Sequence, residues 1–546
     1  MKKTIRNNAL STAALAILLF SACKKDKKSP SDSETNNKQT PTTDRRALTN
    51  DSLFLYAKQI YYWNTSLPSY DTYEPRQYTG AATDLANYET NLFNIGKASR
   101  SADYISGSTD LKYSYIEDIT TRNPGTVALL PGAKAAVDLE GNGNDIGIRP
   151  IIYRTSTSTR AYLLFVTAVY PGSDADKKGV VRGYNIRKIN GQAIGTDYTA
   201  ESSILDALYG NTVTIEGNYY TDKNNYTAFN VTLNKTAYKS SPVYLSKVFT
   251  AGTRKIGYLN FARFSTPENA LDVLNSAFTG FSGQGVTDLI IDLRYNGGGY
   301  VSTAEHLANL IAPSGVSGVM YIEYFNAIMQ AGKATIMKNQ PIIGSDGHVE
   351  LNGNGKPANY FDDADYSVSA NTYRFQKAGN LGNVANVVFI VSGSTASASE
   401  LVINSLKPKM NVKLVGETTY GKPVGFFPVR LENRYDVLMA MFETKNSAGQ
   451  GGYFSGITPD YPENDNETDF FDDPRYNFGD AKEPYTAKAL SVINPSNAAI
   501  SATRSAGSLM TVNGKQVQFD NSSVMKPVKG SEFTGMIETR SRPRKP

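Results

Sequence analysis

Apolar residues along the chain fall into three regimes. In DSLFLYAKQIYYW (51–63), Leu53, Tyr56, Ile60 and Trp63 recur at spacings of three and four, which predicts a helix with one apolar stripe. Between about 136 and 238 the elements shorten. YLLFVTAVY (162–170) and YNIRKINGQAI (184–194) predict strands, the second with an Asn-Gly turn; PGSDADKKG (171–179) reads as a turn and short helix, SSILDALYG (202–210) as an amphipathic helix. From about 239 to 495, apolar strands alternate with helices. TDLIIDLRYNGGGY (287–300) runs into three consecutive glycines, and the helix after it places Ala304, Leu307, Ala308 and Ile311 on one face. NVVFIV (386–391) leads through GSTASASE into ELVINSLK (400–407), and NVKLVG (411–416) leads into ETTYGKPVGFF. Such alternation predicts an α/β layer with a buried sheet.

At 546 residues the chain exceeds one core. We expect an α+β multidomain protein, with a small helical N-terminal domain over 47–135, a β domain over 136–238 and an α/β domain over 239–495. Residues 320–380, rich in Asn, Gly and Asp, read as an insertion. The tail, 496–546, is assigned no role beyond a hairpin at VNGKQV (512–517). Apolar content of 40%, charged content of 20% and a net charge of +5 are ordinary and too dilute for a nucleic-acid partner. The 35 tyrosines fit half-buried strands.

Lys2, Lys3 and Arg6 precede an apolar run from Ala9 to Phe20, the layout of a signal peptide over 1–22. Residues 24–46 lack large apolar side chains and cannot offset the entropy of ordering, so 23–46 is expected to be a disordered tether. Cys23 is the sole cysteine, which excludes an intrachain disulfide framework and a cysteine-based metal site.

The serines of GSTASASE sit at a strand-to-helix junction, where a hydroxyl can be presented to a substrate. A base is then needed, and the two histidines, His306 and His348, read as a helix residue and a loop residue. A lysine can serve if burial lowers its pKa from about 10.4 to roughly 7 or 8. Unperturbed, only about one lysine in 2,500 is neutral at pH 7. Lys422 is the candidate, flanked by Tyr420, Gly421, Pro423 and Phe426-Phe427 in an apolar loop. Ser397-Ala398-Ser399-Glu400 is equally a capping box, which explains Ser-x-x-Glu by helix capping alone.

Three resemblances add to this reading. Leu19-Phe20-Ser21-Ala22-Cys23 resembles the bacterial lipobox, which implies lipidation of Cys23. VYPGSDADKKGVVRGYNIRKINGQAI resembles the core of PDZ domains; the resemblance puts the start of a carboxylate-binding loop at Gly147-Ile148, with peptides bound by strand addition. GSTASASELVINSLKP, GETTYGKP and DLRYNGGG together resemble the S41 peptidases, the C-terminal processing serine proteases. That resemblance implies a ClpP/crotonase-like core, Ser397 as nucleophile, Lys422 as base twenty-five positions later, and an oxyanion hole from the amides of Ala398 and of the Gly297-Gly298 loop. Many members carry glutamine four residues after the lysine. Here Phe426 stands there.

The implied protein is an endopeptidase of the bacterial cell envelope, lipid-anchored at the outer membrane and acting on protein or peptide tails. No metal or cofactor is implied. The alternative is a catalytically silent surface lipoprotein that binds peptides or glycans on the same fold.

Overall fold

The computed structural model describes residues 39–121, 137–155, 159–220, 226–344, 348–463 and 470–495. It also describes 508–512, 515–519, 524–527, 535–537 and 543–545. The predicted signal peptide, Cys23 and most of the predicted tether lie outside these residues. No helix among the described residues is long and apolar enough to cross a membrane.

The first helix, α1 (Arg45–Ile60), begins two residues inside the predicted tether. The Asp44 side chain caps it by accepting the Arg46 amide, and Arg46 pairs with Asp84, so this end of the helix is held by polar and charged contacts. Leu53, Tyr56 and Ile60 are buried as the stripe predicts. Trp63 lies beyond the helix end and packs its ring on Tyr113 and Phe454 instead. Together with α2 (Asp84–Ser99), these residues share one apolar core with the α/β block. Residues Tyr115–Asp118 pair with Tyr435–Leu438, so the 47–135 region is continuous in packing with the α/β layer.

The second block is a twisted antiparallel sheet. Its strands β1 (Ile148–Arg154), β2 (Tyr162–Val169), β3 (Tyr184–Ile189), β4 (Thr212–Tyr220) and β5 (Tyr226–Asn234) lie side by side in chain order. Alternate residues feed two cores. Ile148, Ile152, Leu164 and Val166 face inward with Leu205 and Val213, whereas Ile151, Tyr153, Leu163 and Phe165 pack on Phe471 of the third block.

In that block the strands are β6 (Val243–Ala251), β7 (Arg254–Phe261), β8 (Asp288–Asp292), β10 (Asn386–Val391), β11 (Asn411–Gly416) and β13 (Tyr461–Pro462), adjacent in this order. All but the edge strand β6 run parallel. Both faces are covered, which is why these strands read as unbroken apolar runs. Leu289, Ile291, Val387 and Phe389 face the core that holds α3 (Pro267–Gly283), α4 (Val301–Ile311) and α5 (Ala398–Leu406). Ile290, Val388 and Ile390 face α6 (Pro484–Ile493). Two short strands flank the sheet's carboxyl edge: β9 (Gly298–Tyr300) and β12 (Val424–Gly425).

The C-terminal region is part of the fold. The predicted hairpin forms, with Val512 opposite Lys515. Further on, β14 (Val524–Pro527) joins the edge of β1, and β15 (Gly535–Ile537) joins β9.

Candidate active site

Three loops leave the carboxyl ends of β8, β10 and β11, the edge at which open parallel sheets bind ligands. Asn296 in the first loop ties them together. Its side chain donates to Phe261 O (2.8 Å), and its carbonyl accepts the Ala396 amide (3.1 Å) and the Ser399 hydroxyl (2.9 Å) of the second loop. Thr395 Oγ1 reaches Leu293 O at 2.8 Å, and the Tyr420 amide of the third loop donates to Thr395 O at 2.9 Å.

Ser397 is fully buried and sits at φ 59°, ψ −109°. A non-glycine residue there costs about 1–3 kcal/mol and persists only where its surroundings over-determine it. The capping-box arrangement is present. Its Glu400 half is a 2.8 Å hydrogen bond from the Ser397 amide, while Ser397 Oγ has no partner of hydrogen-bonding geometry among the described residues. A buried hydroxyl left in that state is costly as pure structure, and it is available to a reacting group.

Glu400 does more than cap a helix. Its Oε2 accepts both the Ser397 amide and the Lys422 amide, each at 2.8 Å, and its Oε1 accepts the Gly421 amide (2.7 Å) and the Thr419 hydroxyl. One buried carboxylate thus fixes the serine loop against the lysine loop. Burial pushes this carboxyl's pKa up, and the hydrogen bonds from Thr419, Lys422, Ser397 and Gly421 oppose that rise. Four donors on two oxygens match an acceptor-only carboxylate.

Lys422 is 1% exposed. Burial lowers its pKa to about 7; Asp103 and Glu400 pull the other way, and Lys112 adds to the depression. Its Nζ lies 4.7 Å from the centroid of the Phe426 ring, so a π face occupies the position where the family resemblance implied glutamine. The loop is held tightly. Gly421 adopts φ +86°, where a Cβ would approach Gly456 N to 2.4 Å, and its carbonyl accepts the Tyr113 hydroxyl at 2.7 Å.

The far wall of the lysine pocket comes from residues that sequence reasoning did not single out. Asp103 is wholly buried and accepts from Tyr61 Oη (2.8 Å), Ser114 Oγ (2.6 Å) and the Tyr113 amide (2.7 Å). Lys112 donates to Phe454 O (2.7 Å) and stands over the Tyr420 ring. They lie some three hundred positions before Lys422 in a stretch without a motif, so only tertiary contact reveals them.

The predicted oxyanion residues converge. At Gly298 (φ +107°) a Cβ would stand 3.0 Å from both Ala398 N and Ala396 O, so glycine alone lets the two loops approach. The Gly298 amide itself donates to Asn296 Oδ1 at 3.0 Å. Ala398 opens α5, whose dipole favours negative charge there. Ile148 begins β1 in the second block, and Gly147 immediately precedes it. The Gly147 amide already donates to Asp145 Oδ1 (2.6 Å), and its carbonyl accepts the Tyr170 amide. His306 bonds Asn275 of α3, and the His348 carbonyl accepts the Gly344 amide.

Beneath the glycine loop lies a second buried cation. Arg294 donates to Asp292, to Glu483 (2.8 and 2.9 Å) and to Asp472 (2.8 Å), and Asp472 also pairs with Arg182 of the second block. This cluster joins β8, α6 and the antiparallel sheet.

The family profile for peptidase family S41 matches residues 255–462. Over 346 residues the chain is 23% identical to the chloroplastic C-terminal processing peptidase of Tetradesmus obliquus, covering 62% of this chain and 64% of that protein. It is 24% identical over 302 residues to the carboxy-terminal processing protease CtpA of Bacillus subtilis (strain 168), covering 54% of this chain and 52% of that protein. The matches thus span between about half and just under two thirds of these curated relatives. A crystal structure described as an S41 protease from Bacteroides fragilis NCTC 9343 superposes with a TM-score of 0.54 at 22% identity, over 81% of this chain and 97% of that one, a likeness of fold. With three strand-end loops and a profile match that encloses both Ser397 and Lys422, this chain carries a peptidase family S41 domain.

Proposed function

We propose that the protein is a serine-type endopeptidase acting on protein or peptide chains, with Ser397 as nucleophile and Lys422 as general base. The observation that carries this reading is a lysine amine buried in an apolar pocket, with its pKa brought to about 7, on a loop that shares one carboxylate with the serine loop. Neutral Lys422 takes the Ser397 proton as Oγ attacks the carbonyl carbon of the scissile bond. The resulting ammonium then protonates the departing amine. Water, deprotonated by the same lysine, hydrolyses the acyl-enzyme. The Ala398 amide, with donors from the Gly297-Gly298 loop, would stabilise the oxyanion.

The second block, similar to PDZ domains in sequence, recruits substrate tails by strand addition at β1. Cys23, beside its lipobox-like residues, tethers the ectodomain to the cell envelope. Phe426 in place of glutamine favours the rival reading of a silent peptide-binding protein, and one experiment separates the two. The purified ectodomain is offered an unfolded protein beside Ser397→Ala and Lys422→Ala. We expect both variants to lose activity by roughly 10³-fold or more. Equal cleavage by all three would remove the dyad, and no cleavage by any would favour the silent protein.

A further inference from the structure

The C-terminal region lies on the surfaces that a bound polypeptide would use. β14 is added antiparallel to β1, with Val524 opposite Tyr153 and Pro527 opposite Ile151, and so runs toward Ile148 and Gly147. Added strands of this kind bind through main-chain hydrogen bonds that most sequences can make. β15 lies parallel on the glycine strand β9, with Gly535 opposite Gly298, Met536 opposite Gly299 and Ile537 opposite Tyr300. The Gly535 amide donates to Gly297 O at 3.0 Å. β15 also neighbours β12, the strand that begins two residues after Lys422.

The Gly535 carbonyl reaches the heart of the cleft. Its oxygen is 2.3 Å from the point a Gly298 Cβ would occupy, and Ala398 N is 3.0 Å from the same point. A third anchor lies beyond. Pro543 O accepts the Asp365 amide (2.7 Å), the Lys545 amide donates to Asp363 O (3.0 Å), and Arg544 pairs with Glu350. With the tail so placed, Ser397 is 0% exposed, and an incoming chain has no edge of β9 to pair with.

We propose that the C-terminal strands β14 and β15 are built-in occupants of the substrate path, β15 being an autoinhibitory strand that an extended polypeptide must displace from β9 before it reaches Ser397. The proposal rests on the peptidase reading of the cleft. A tethered segment acts at an effective concentration in the millimolar range, so even weak pairing excludes a dilute competitor. It also defines the class of ligand: an extended chain with a small residue opposite Gly298, where backbone passes against backbone.

The test measures binding, so that it does not depend on turnover. In full-length chain carrying Ser397→Ala, Gly535→Pro removes the amide that donates to Gly297 O. Fluorescent carboxymethylated casein is titrated against both chains, with hydrogen exchange of 535–537 as the local readout. We expect casein to bind about tenfold more tightly to the Gly535→Pro chain, the equivalent of one or two lost main-chain hydrogen bonds. A synthetic peptide of residues 521–546 added in trans should reverse the gain. If Gly535→Pro lowers the melting temperature, Arg544→Glu makes the same comparison by cutting the distal anchor outside the cleft, with a gain of roughly threefold. No gain in either variant, or a peptide that fails to compete with casein, overturns the proposal. Tighter binding with no cleavage by chain that retains Ser397 upholds the occupant and refutes the peptidase reading.

Discussion

Arg294 and Lys422 are buried to the same degree, at 1% exposure each, yet the protein treats their charges in opposite ways. Around Arg294 three carboxylates point their oxygens at the guanidinium, and although burial opposes the charge, Asp292, Glu483 and Asp472 raise its pKa well above the usual value. Near Lys422 the two carboxylates are directed elsewhere. Asp103 accepts from Tyr61, Ser114 and Tyr113, and Glu400 accepts from three amides and a hydroxyl. Their fields still act, but desolvation wins. Depth of burial therefore does not decide whether a base is charged; the orientation of neighbouring lone pairs does. One cation is held as structure; the other is the one proposed above as the base.

Three substitutions test that contrast. The largest effect is expected from Arg294→Met, which leaves Asp292, Glu483 and Asp472 buried without their cation; chemical denaturation should show a loss of about 3–5 kcal/mol. Lys422→Met should do the opposite. In the wild type the unfolded chain holds a proton that the folded chain releases between pH 7 and 10.5, so burial penalises folding most at or below pH 7. The methionine variant should gain about 1–3 kcal/mol at pH 6, and the gain should shrink as pH rises toward 10.5. A gain that does not vary with pH would mean that the lysine is charged throughout. The smallest effect is that of Asp103→Asn. Removing an anion that raises the Lys422 pKa should move the acid limb of kcat/KM to lower pH, on the order of threefold more activity at pH 6 relative to the plateau. A shift toward higher pH would reverse the assigned role of Asp103.

Much of the layer architecture is legible in the sequence, because strands buried on both faces must be apolar throughout and helices with one covered face must repeat at three and four. β8, β10 and β11 and the helix α4 follow that rule, whereas α5 is buried on every side. Ser397 and Lys422 stand out locally, one in a small-residue turn and one among aromatics. The clamp by Glu400 was masked, since a capping box accounts for the same four letters without invoking a second loop. Asp103, Lys112 and Tyr113 carry no local signal; their role arises from tertiary packing of distant segments. The tail misled for a related reason. β14 and β15 are held by backbone pairing, and backbone bonds leave little trace in side-chain composition.

The position of Glu400 between two amides has a consequence for how reactivity arises during folding. Neither the strained serine turn nor the lysine turn has its anchor until α5 has docked on the strand ends, so a nascent or partly unfolded chain holds the hydroxyl and the amine without their alignment. Losing one turn releases the other. For the proposed peptidase, such a chain would be harmless to its neighbours until its last contacts close, and local damage to the cleft would silence it rather than leave a misdirected hydrolase.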